Sequence, residues 1–359
     1  MHTVGIIGFG RFGAALAALL EETGHAVQAY DPNADVPDVW RRETASAAIQ
    51  GARFVVLSVP IEVVGAVASS LEPDLSAEQI VVDVTSVKVH PSHHLDSALG
   101  DRVPWIATHP LFGPASIARG ERPLRVVVCP APGRREAEDA VRDLYLGLGC
   151  KVLSMDAHDH DRRMAESHAM GFFLAKGLLD AGATFDSPVT PPSSQGIAKT
   201  FRSVRSDAGH LLGALHGENP YASEMRAKVL ESLHALDEAL TTEEVRRRGQ
   251  EPLDEDTERT LRIPDLGTRS PALKAVRELI DDIDSELVGL LGRRALLARR
   301  ARRAKADMGL GVRDPVREAQ LRADRRGQAE DRGLDPDKVE DVFAAILRLS
   351  VALQEEEAL

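Results

Sequence analysis

Residues 4–22 read VGIIGFGRFGAALAALLEE, and this stretch decides the architecture of the first half of the chain. Val4–Ile7 is a short β-branched run, and it passes directly into Gly8-Phe9-Gly10-Arg11-Phe12-Gly13. That turn opens an Ala/Leu-rich helix, Ala14–Glu22. Glycines at these spacings permit a tight turn and close backbone approach, and the helix N-terminus offers amides to a pyrophosphate. The pattern alone also suits an ordinary glycine turn. Its context is more specific, because the next strand-like run ends in Ala29-Tyr30-Asp31, about 20 residues on, where the dinucleotide fingerprint places an acid. Asp31 can accept hydrogen bonds from a ribose 2′-hydroxyl and would repel a 2′-phosphate. The expected cofactor is therefore NAD rather than NADP.

Further runs follow at Phe54–Val59, Ile80–Val84, Trp105–Ala107 and Arg125–Cys129, separated by helical stretches. Strands alternating with helices predict a parallel, doubly wound α/β sheet of Rossmann type over residues 1–155. Ser58-Val59-Pro60 closes one of these strands, where loops border the cofactor in such sheets. From residue 156 to 248 the β signal fades, and Met164–Leu179 and Arg226–Leu240 carry helical spacing. Residues 249–271 are polar, acidic and Pro-containing, and read as a linker. A third, all-helical unit occupies 272–359.

Composition excludes several classes. A hydrophobic share of 43% suits a soluble globular chain. Two cysteines build no disulfide framework and fit a reducing cytoplasm. No apolar stretch of about 18 residues suggests a membrane span, and the first residues form no signal peptide. The formal net charge of -12 disfavours nucleic acid, despite a basic run from Arg293 to Lys305. No metal site is expected.

Two segments carry the chemistry of the first half. Asp83-Val84-Thr85-Ser86-Val87-Lys88 closes one strand and Thr108-His109-Pro110-Leu111-Phe112-Gly113-Pro114 the next. Carboxyl ends of strands are the ligand side of a doubly wound sheet, and a histidine there, beside a nicotinamide, suits a general base. TSVK, HPLFGP and HDHDRRMAESH at 158–168 resemble the prephenate dehydrogenase family over roughly residues 1–245. The resemblance implies a catalytic His109, Ser86 holding the imidazole or the substrate hydroxyl, and His168 in the pocket. Many members carry a second histidine where this chain has Gly171. An arginine of the last helix in this region should bind a substrate carboxylate, and Arg226 is the candidate.

In the last unit Leu273, Val276, Ile280, Ile283, Leu287, Leu290, Leu297, Ala301 and Ala304 recur at steps of three and four. They predict one long helix with a buried seam. Arg294 interrupts that seam, which is costly unless an anion meets it. Lys305 follows on the same face, roughly 16 Å further along. Asp314, Arg317 and Glu318 are spaced i, i+3, i+4 in a second helix, and Ser350 and Gln354 are i, i+4 neighbours in a third. With Arg277, these positions closely resemble the active-site pattern of the all-helical chorismate mutases, in register and without insertion. The resemblance implies that Arg277, Arg294 and Arg317 grip carboxylates with help from Ser350. Lys305 and Gln354 would donate to the breaking ether oxygen, while Glu318 and Asp314 would hold the ring hydroxyl.

The combined reading is a bifunctional enzyme of tyrosine biosynthesis acting on chorismate and prephenate, as a cytoplasmic homodimer. Arogenate or a 4-amino analogue could replace prephenate. A non-catalytic NAD-sensing module beside a working mutase, or a nucleic-acid-binding helical hairpin, are readings of other classes.

Overall fold

The computed structural model describes residues 1–185, short pieces between 187 and 204, then 210–240, 273–309 and 314–356. The expected linker, 249–271, lies outside the described residues. Two compact units result: Met1–Ile117 with Pro123–Pro252, and Ala118–Arg122 with Leu253–Leu359.

The first unit is built on a seven-stranded sheet of order β2-β1-β3-β4-β5-β6-β7. The strands are β1 (Thr3–Ile7), β2 (Ala26–Tyr30), β3 (Phe54–Leu57), β4 (Ile80–Asp83), β5 (Trp105–Pro110), β6 (Leu124–Cys129) and β7 (Cys150–Ser154). β1 to β5 run parallel. All residues of β3, β4 and β5 are buried, as expected of central strands covered by helices on both faces. Two features differ from the sequence reading. β6 runs antiparallel to β5, pairing His109 with Val127, and β7 is an additional strand parallel to β6. CKVLS mixes polar and apolar residues with only partial burial, so it lacks the apolar run that marked the other strands.

Helix Arg11–Glu22 follows β1 and buries Leu16, Leu19 and Leu20 against the sheet. Beyond β7 the chain is helical. Asp156 caps helix Ala157–Met164 by accepting from the N–H of His158 at 2.8 Å. A π-helical turn, Ala165–Ala169, joins it to helix Met170–Asp180. Helix Ala222–Leu240 packs with these around a second core that includes Phe172, Phe201, Val204 and Leu215.

The second unit holds three helices: Leu273–Asp307, Pro315–Glu330 and Pro336–Glu356. The last packs against the other two. Asp314 caps the middle helix, accepting the Arg317 N–H at 3.0 Å, and Pro315 opens it. The long helix is as expected, but its seam is not buried within one chain. Ile280 is 50% exposed, Ile283 64% and Leu287 48%. Leu290 and Leu297 are also exposed, as are Ala301 and Ala304. The side chains of Leu273 and Val276 lie outside the described residues.

Among the described residues no helix is long and apolar enough to cross a membrane. Cys129 and Cys150 are free and buried. Burial pushes the Cys129 thiol up to about 12, so it stays protonated.

Candidate active site

The chain leaves β1 for β2 on one side and reaches β3 on the other, so the loops after β1 and β3 diverge at a topological switch point. Gly8 turns the chain there with φ +94, and a Cβ on it would lie 2.3 Å from the Ser58 carbonyl oxygen. A Cβ on Gly13 would lie 2.3 Å from the Gly8 carbonyl oxygen. These two glycines close the turn onto the helix and onto the Ser58-Val59-Pro60 loop. Gly10 differs, because a Cβ there would meet nothing within 4 Å. Its outer side is open beside the helix N-terminus, where Arg11 and Phe12 begin the first turn with no acidic residue. This is the cradle a pyrophosphate requires. Asp31 ends β2 and accepts from the N–H groups of Phe9 (2.6 Å), Asn33 (2.8 Å) and Ala34 (2.9 Å). Desolvation by itself would raise its carboxyl, but the three backbone donors outweigh it and hold the group below its ordinary value.

His109 sits at the carboxyl end of β5, 4% exposed. Its Nδ1 lies 2.9 Å from Nε2 of His160, whose Nδ1 lies 2.7 Å from an Asp161 carboxylate oxygen. The His168 ring is stacked over His109, centroids 6.3 Å apart, with Phe172 edge-on behind it at 4.9 Å. Burial is the first cause that holds His109 well below the usual imidazole value, with His160, Lys88 and His168 adding repulsion. His160 and His168 are lowered as well, again mainly by burial. All three rings are thus neutral near pH 7, and a neutral imidazole can take a proton.

Beneath the histidine lies a buried ion pair. Lys88 Nζ contacts Asp83 at the end of β4 and donates to the Thr108 carbonyl at 2.5 Å. The Thr108 hydroxyl donates to the Asp83 carbonyl at 2.7 Å. The pair fastens the ends of β4 and β5, and so fixes the peptide that carries His109.

His168 and His109 are brought together as expected. The resemblance gives Ser86 either the imidazole or the substrate hydroxyl to hold, and in the structure the Nδ1 of His109 meets His160. Ser86 is half-buried in the loop after β4 and forms no hydrogen bond to the ring. The family resemblance pointed to Ser86, whereas the Nδ1 side of the ring faces the first helix after β7. His160 and Asp161 lay inside HDHDRRMAESH, and the adjacent His-Asp pair was the signal available. Arg226 is half-buried on helix Ala222–Leu240 with Nη1 2.9 Å from His216 Nδ1. His216 packs on Phe173, so Arg226 is held by the helical core rather than solvated. Gly171 lies on helix Met170–Asp180, and a Cβ there would meet nothing within 4 Å.

In the second unit Arg294 donates to the Ser350 hydroxyl, joining the first helix to the last. Burial lowers the Arg294 guanidinium, and repulsion from Arg325 adds to it. Arg325 lies over the Phe343 ring at 5.4 Å, and its Nε is buried without a hydrogen-bond partner. Arg325 thus bears on Arg294 electrostatically, and it was not among the expected residues. Lys305 is half-buried at the end of the long helix, and Glu318 is half-buried on the middle one. Arg277 and Arg317 are exposed, with Arg317 3.4 Å from Gln320. Asp314 is engaged as the helix cap. Gln354 falls on the last helix, and its side chain lies outside the described residues.

The architecture and these two centres define a class: a dinucleotide-binding α/β domain with a buried neutral imidazole at the cofactor edge, carried with a separate cation-lined helical unit. Residues 21–153 match the family model of the prephenate dehydrogenase nucleotide-binding domain, and residues 276–355 match that of type II chorismate mutase. It is 27% identical over 259 residues to arogenate dehydrogenase 1, chloroplastic, of Arabidopsis thaliana, covering 67% of this chain and 39% of that protein. It is 40% identical over 78 residues to the T-protein of Enterobacter agglomerans, covering 22% and 21%. It is 39% identical over 82 residues to isochorismate pyruvate lyase of Pseudomonas aeruginosa, covering 23% and 80%. Its fold is similar to that of prephenate dehydrogenase from A. aeolicus in complex with hydroxyphenyl propionate and NAD+. There the TM-score is 0.57 and the identity 21%, over 73% of this chain and 97% of that one. The chain spans between 21% and 39% of the length of the first three curated relatives it matches.

Proposed function

We propose that the chain is a bifunctional enzyme of tyrosine biosynthesis, which rearranges chorismate to prephenate and oxidatively decarboxylates prephenate to 4-hydroxyphenylpyruvate. The observation that carries the second step is His109, buried and neutral at the carboxyl end of β5, on the same sheet edge as the glycine turn that follows β1. The cofactor is NAD, which accepts the hydride when bound. Gly10 and the helix N-terminus hold its pyrophosphate and Asp31 its ribose, with Ser58, Val59 and Pro60 along the opposite rim. His109 Nε2 takes the proton of the ring hydroxyl as hydride leaves that carbon. Carbon dioxide is lost, the ring becomes aromatic, and the step does not reverse. His168 and Phe172 wall the pocket and exclude water. Ser86 binds the substrate hydroxyl, and Arg226 a substrate carboxylate.

The mutase reaction rearranges a dianion and requires no nucleophile, so its site needs only to hold the conformer and stabilise developing charge. Arg294, with Ser350 as its partner, binds a carboxylate, as do Arg277 and Arg317. Lys305 and Gln354 donate to the ether oxygen, and Glu318 holds the ring hydroxyl near the Asp314 cap. The exposed seam of the long helix supports a homodimer, and two free buried cysteines support a cytoplasmic location. We assign 1–155 to the cofactor domain, 156–248 to the helical substrate domain, 249–271 to a linker and 272–359 to the mutase.

Supplying chorismate and NAD to the full chain tests both steps, with NADH and 4-hydroxyphenylpyruvate as the expected products. Consumption of chorismate without NADH, and no NADH on separate addition of prephenate, arogenate or the 4-amino analogue, would overturn the dehydrogenase reading. Two alternatives have specific support. The open position at Gly171 removes a pocket side chain and favours testing arogenate against prephenate. The likeness of the last unit to a lyase calls for isochorismate beside chorismate, with pyruvate release as the readout.

A further inference from the structure

Asp161 is fully buried and acts as an acceptor on every side that the structure describes. One carboxylate oxygen takes the Lys88 N–H at 2.8 Å and the other takes the Val89 N–H at 2.8 Å. These are the first amides of helix Val89–Leu99, whose N-terminus has no side-chain cap of its own. The backbone of Asp161 is fixed too, because its carbonyl accepts from Asn219 Nδ2 at 2.8 Å. A carboxylate whose two oxygens both take backbone N–H groups at a helix N-terminus serves as an acceptor. The proton between Asp161 and His160 is therefore on His160 Nδ1. A neutral imidazole with its proton on Nδ1 has a bare Nε2. The His160 Nε2 lies 2.9 Å from His109 Nδ1, so the proton of that contact is on His109.

We propose that His160 and Asp161 are positioning residues that fix His109 as its Nδ1–H tautomer, leaving Nε2 as the bare nitrogen that receives the substrate proton. The relay runs from the helix N-terminus through Asp161 and His160 to the base. It also orients the ring, since both ends of His160 are held. When His109 becomes an imidazolium during turnover, the Nδ1–H bond to His160 and the charge on Asp161 stabilise it. Lys88 opposes that charge from below, while its partner Asp83 offsets it. His168, stacked above, makes no hydrogen bond to the ring. The catalytic part of this assignment rests on the dehydrogenase reading, but the tautomer does not.

The test therefore has two arms on the full chain. In the first, nitrogen-15 NMR of the histidine side chains near neutral pH, assigned with His109→Asn, should show His109 protonated at Nδ1 and bare at Nε2. Protonation at Nε2 would overturn the proposal whatever the enzyme does. In the second, His160→Leu should lower kcat of NAD reduction by about 10²-fold with little change in either KM, as for loss of an interaction made in the transition state. His160→Gln, whose Oε1 can accept the same Nδ1–H, should recover most of that loss, a rescue that a merely structural role would not give. Retention of more than half of the wild-type kcat by His160→Leu overturns the positioning role. If His160→Leu does not fold, His160→Gln must keep the His109 tautomer, and its loss there counts against the relay. Absence of turnover in the wild type on every substrate would defeat the dehydrogenase reading, and the NMR arm would still decide the tautomer.

Discussion

The Asp31 carboxylate accepts the Phe9 N–H at 2.6 Å, so the acid that ends β2 is tied to the middle of the glycine turn. The same carboxylate takes two further amides from Asn33 and Ala34, and these bonds keep it ionised and immobile. A 2′-phosphate at that place meets a fixed negative charge. kcat/KM for NAD should exceed that for NADP by about 10²-fold, the scale of one like-charge repulsion at a protein surface. Asp31→Asn should narrow the ratio mainly by improving NADP. A wild type that prefers NADP would remove the assignment of this loop.

His109→Asn keeps a polar side chain of similar reach and removes the basic nitrogen. Dehydrogenase turnover should fall by about 10²–10⁴-fold, the usual contribution of a general base. Mutase activity should be unchanged, since His109 and Arg294 belong to different compact units. Both rates can be read on one preparation, as NADH formed and chorismate consumed. A variant that keeps a tenth of its dehydrogenase activity would make His109 structural.

Stability of the first unit should depend on pH through its histidines. His109 and His160 are buried and His168 is half-buried, and all three are lowered from the ordinary value of 6.5. On unfolding, each regains an ordinary imidazole, so below pH 6.5 the unfolded chain binds protons that the folded chain does not. The stability tied to these groups is complete above that pH and declines as pH falls toward their folded values. Each group can contribute a slope of about 1.4 kcal/mol per pH unit. Thermal unfolding from pH 8 to pH 5 should show a flat midpoint that drops once pH passes below 6.5. His168→Phe, which removes one of these bases, should make that drop shallower.

The sequence made the cofactor half legible because its signals are local. The turn from Gly8 to Gly13, the acid at Asp31 and the apolar runs each declare themselves within a few residues. β7 was not legible, since Cys150–Ser154 lies at a sheet edge and needs no continuous apolar run. The partners of His109 were hidden for another reason. His160 reaches it across 51 residues and Lys88 holds the preceding Thr108 carbonyl across 20, distances at which spacing in the chain carries no information. Arg325 was missed likewise, because only the packing of the last helix against the other two brings it near Arg294. In the second unit the seam was read correctly as apolar and helical, but which surface covers it is a property of assembly. One chain leaves Ile280, Ile283 and Leu287 in water.

That uncovered seam leads to a prediction about the mutase site. Arg277 and Arg294 lie on one continuous helix, Leu273–Asp307. They are 17 residues apart, or about 25 Å along the axis. Chorismate is far shorter than that, so two arginines of one chain cannot grip the same molecule. If both act in one site they come from different subunits across an isologous interface, in which each patch meets its own copy. The apolar face between them is what such an interface would bury. Two inactive homodimers, Arg277→Ala and Arg294→Ala, then make an informative pair. A mixed dimer puts both defects into one site and leaves the other wholly wild type. Refolding the two variants together should restore mutase activity that neither shows alone, up to roughly a quarter of wild type for random pairing. Subunit exchange can be confirmed by differently tagged chains. A mixture that exchanges subunits yet stays as inactive as its parents would show that each site is made from one chain, with Arg277 outside it.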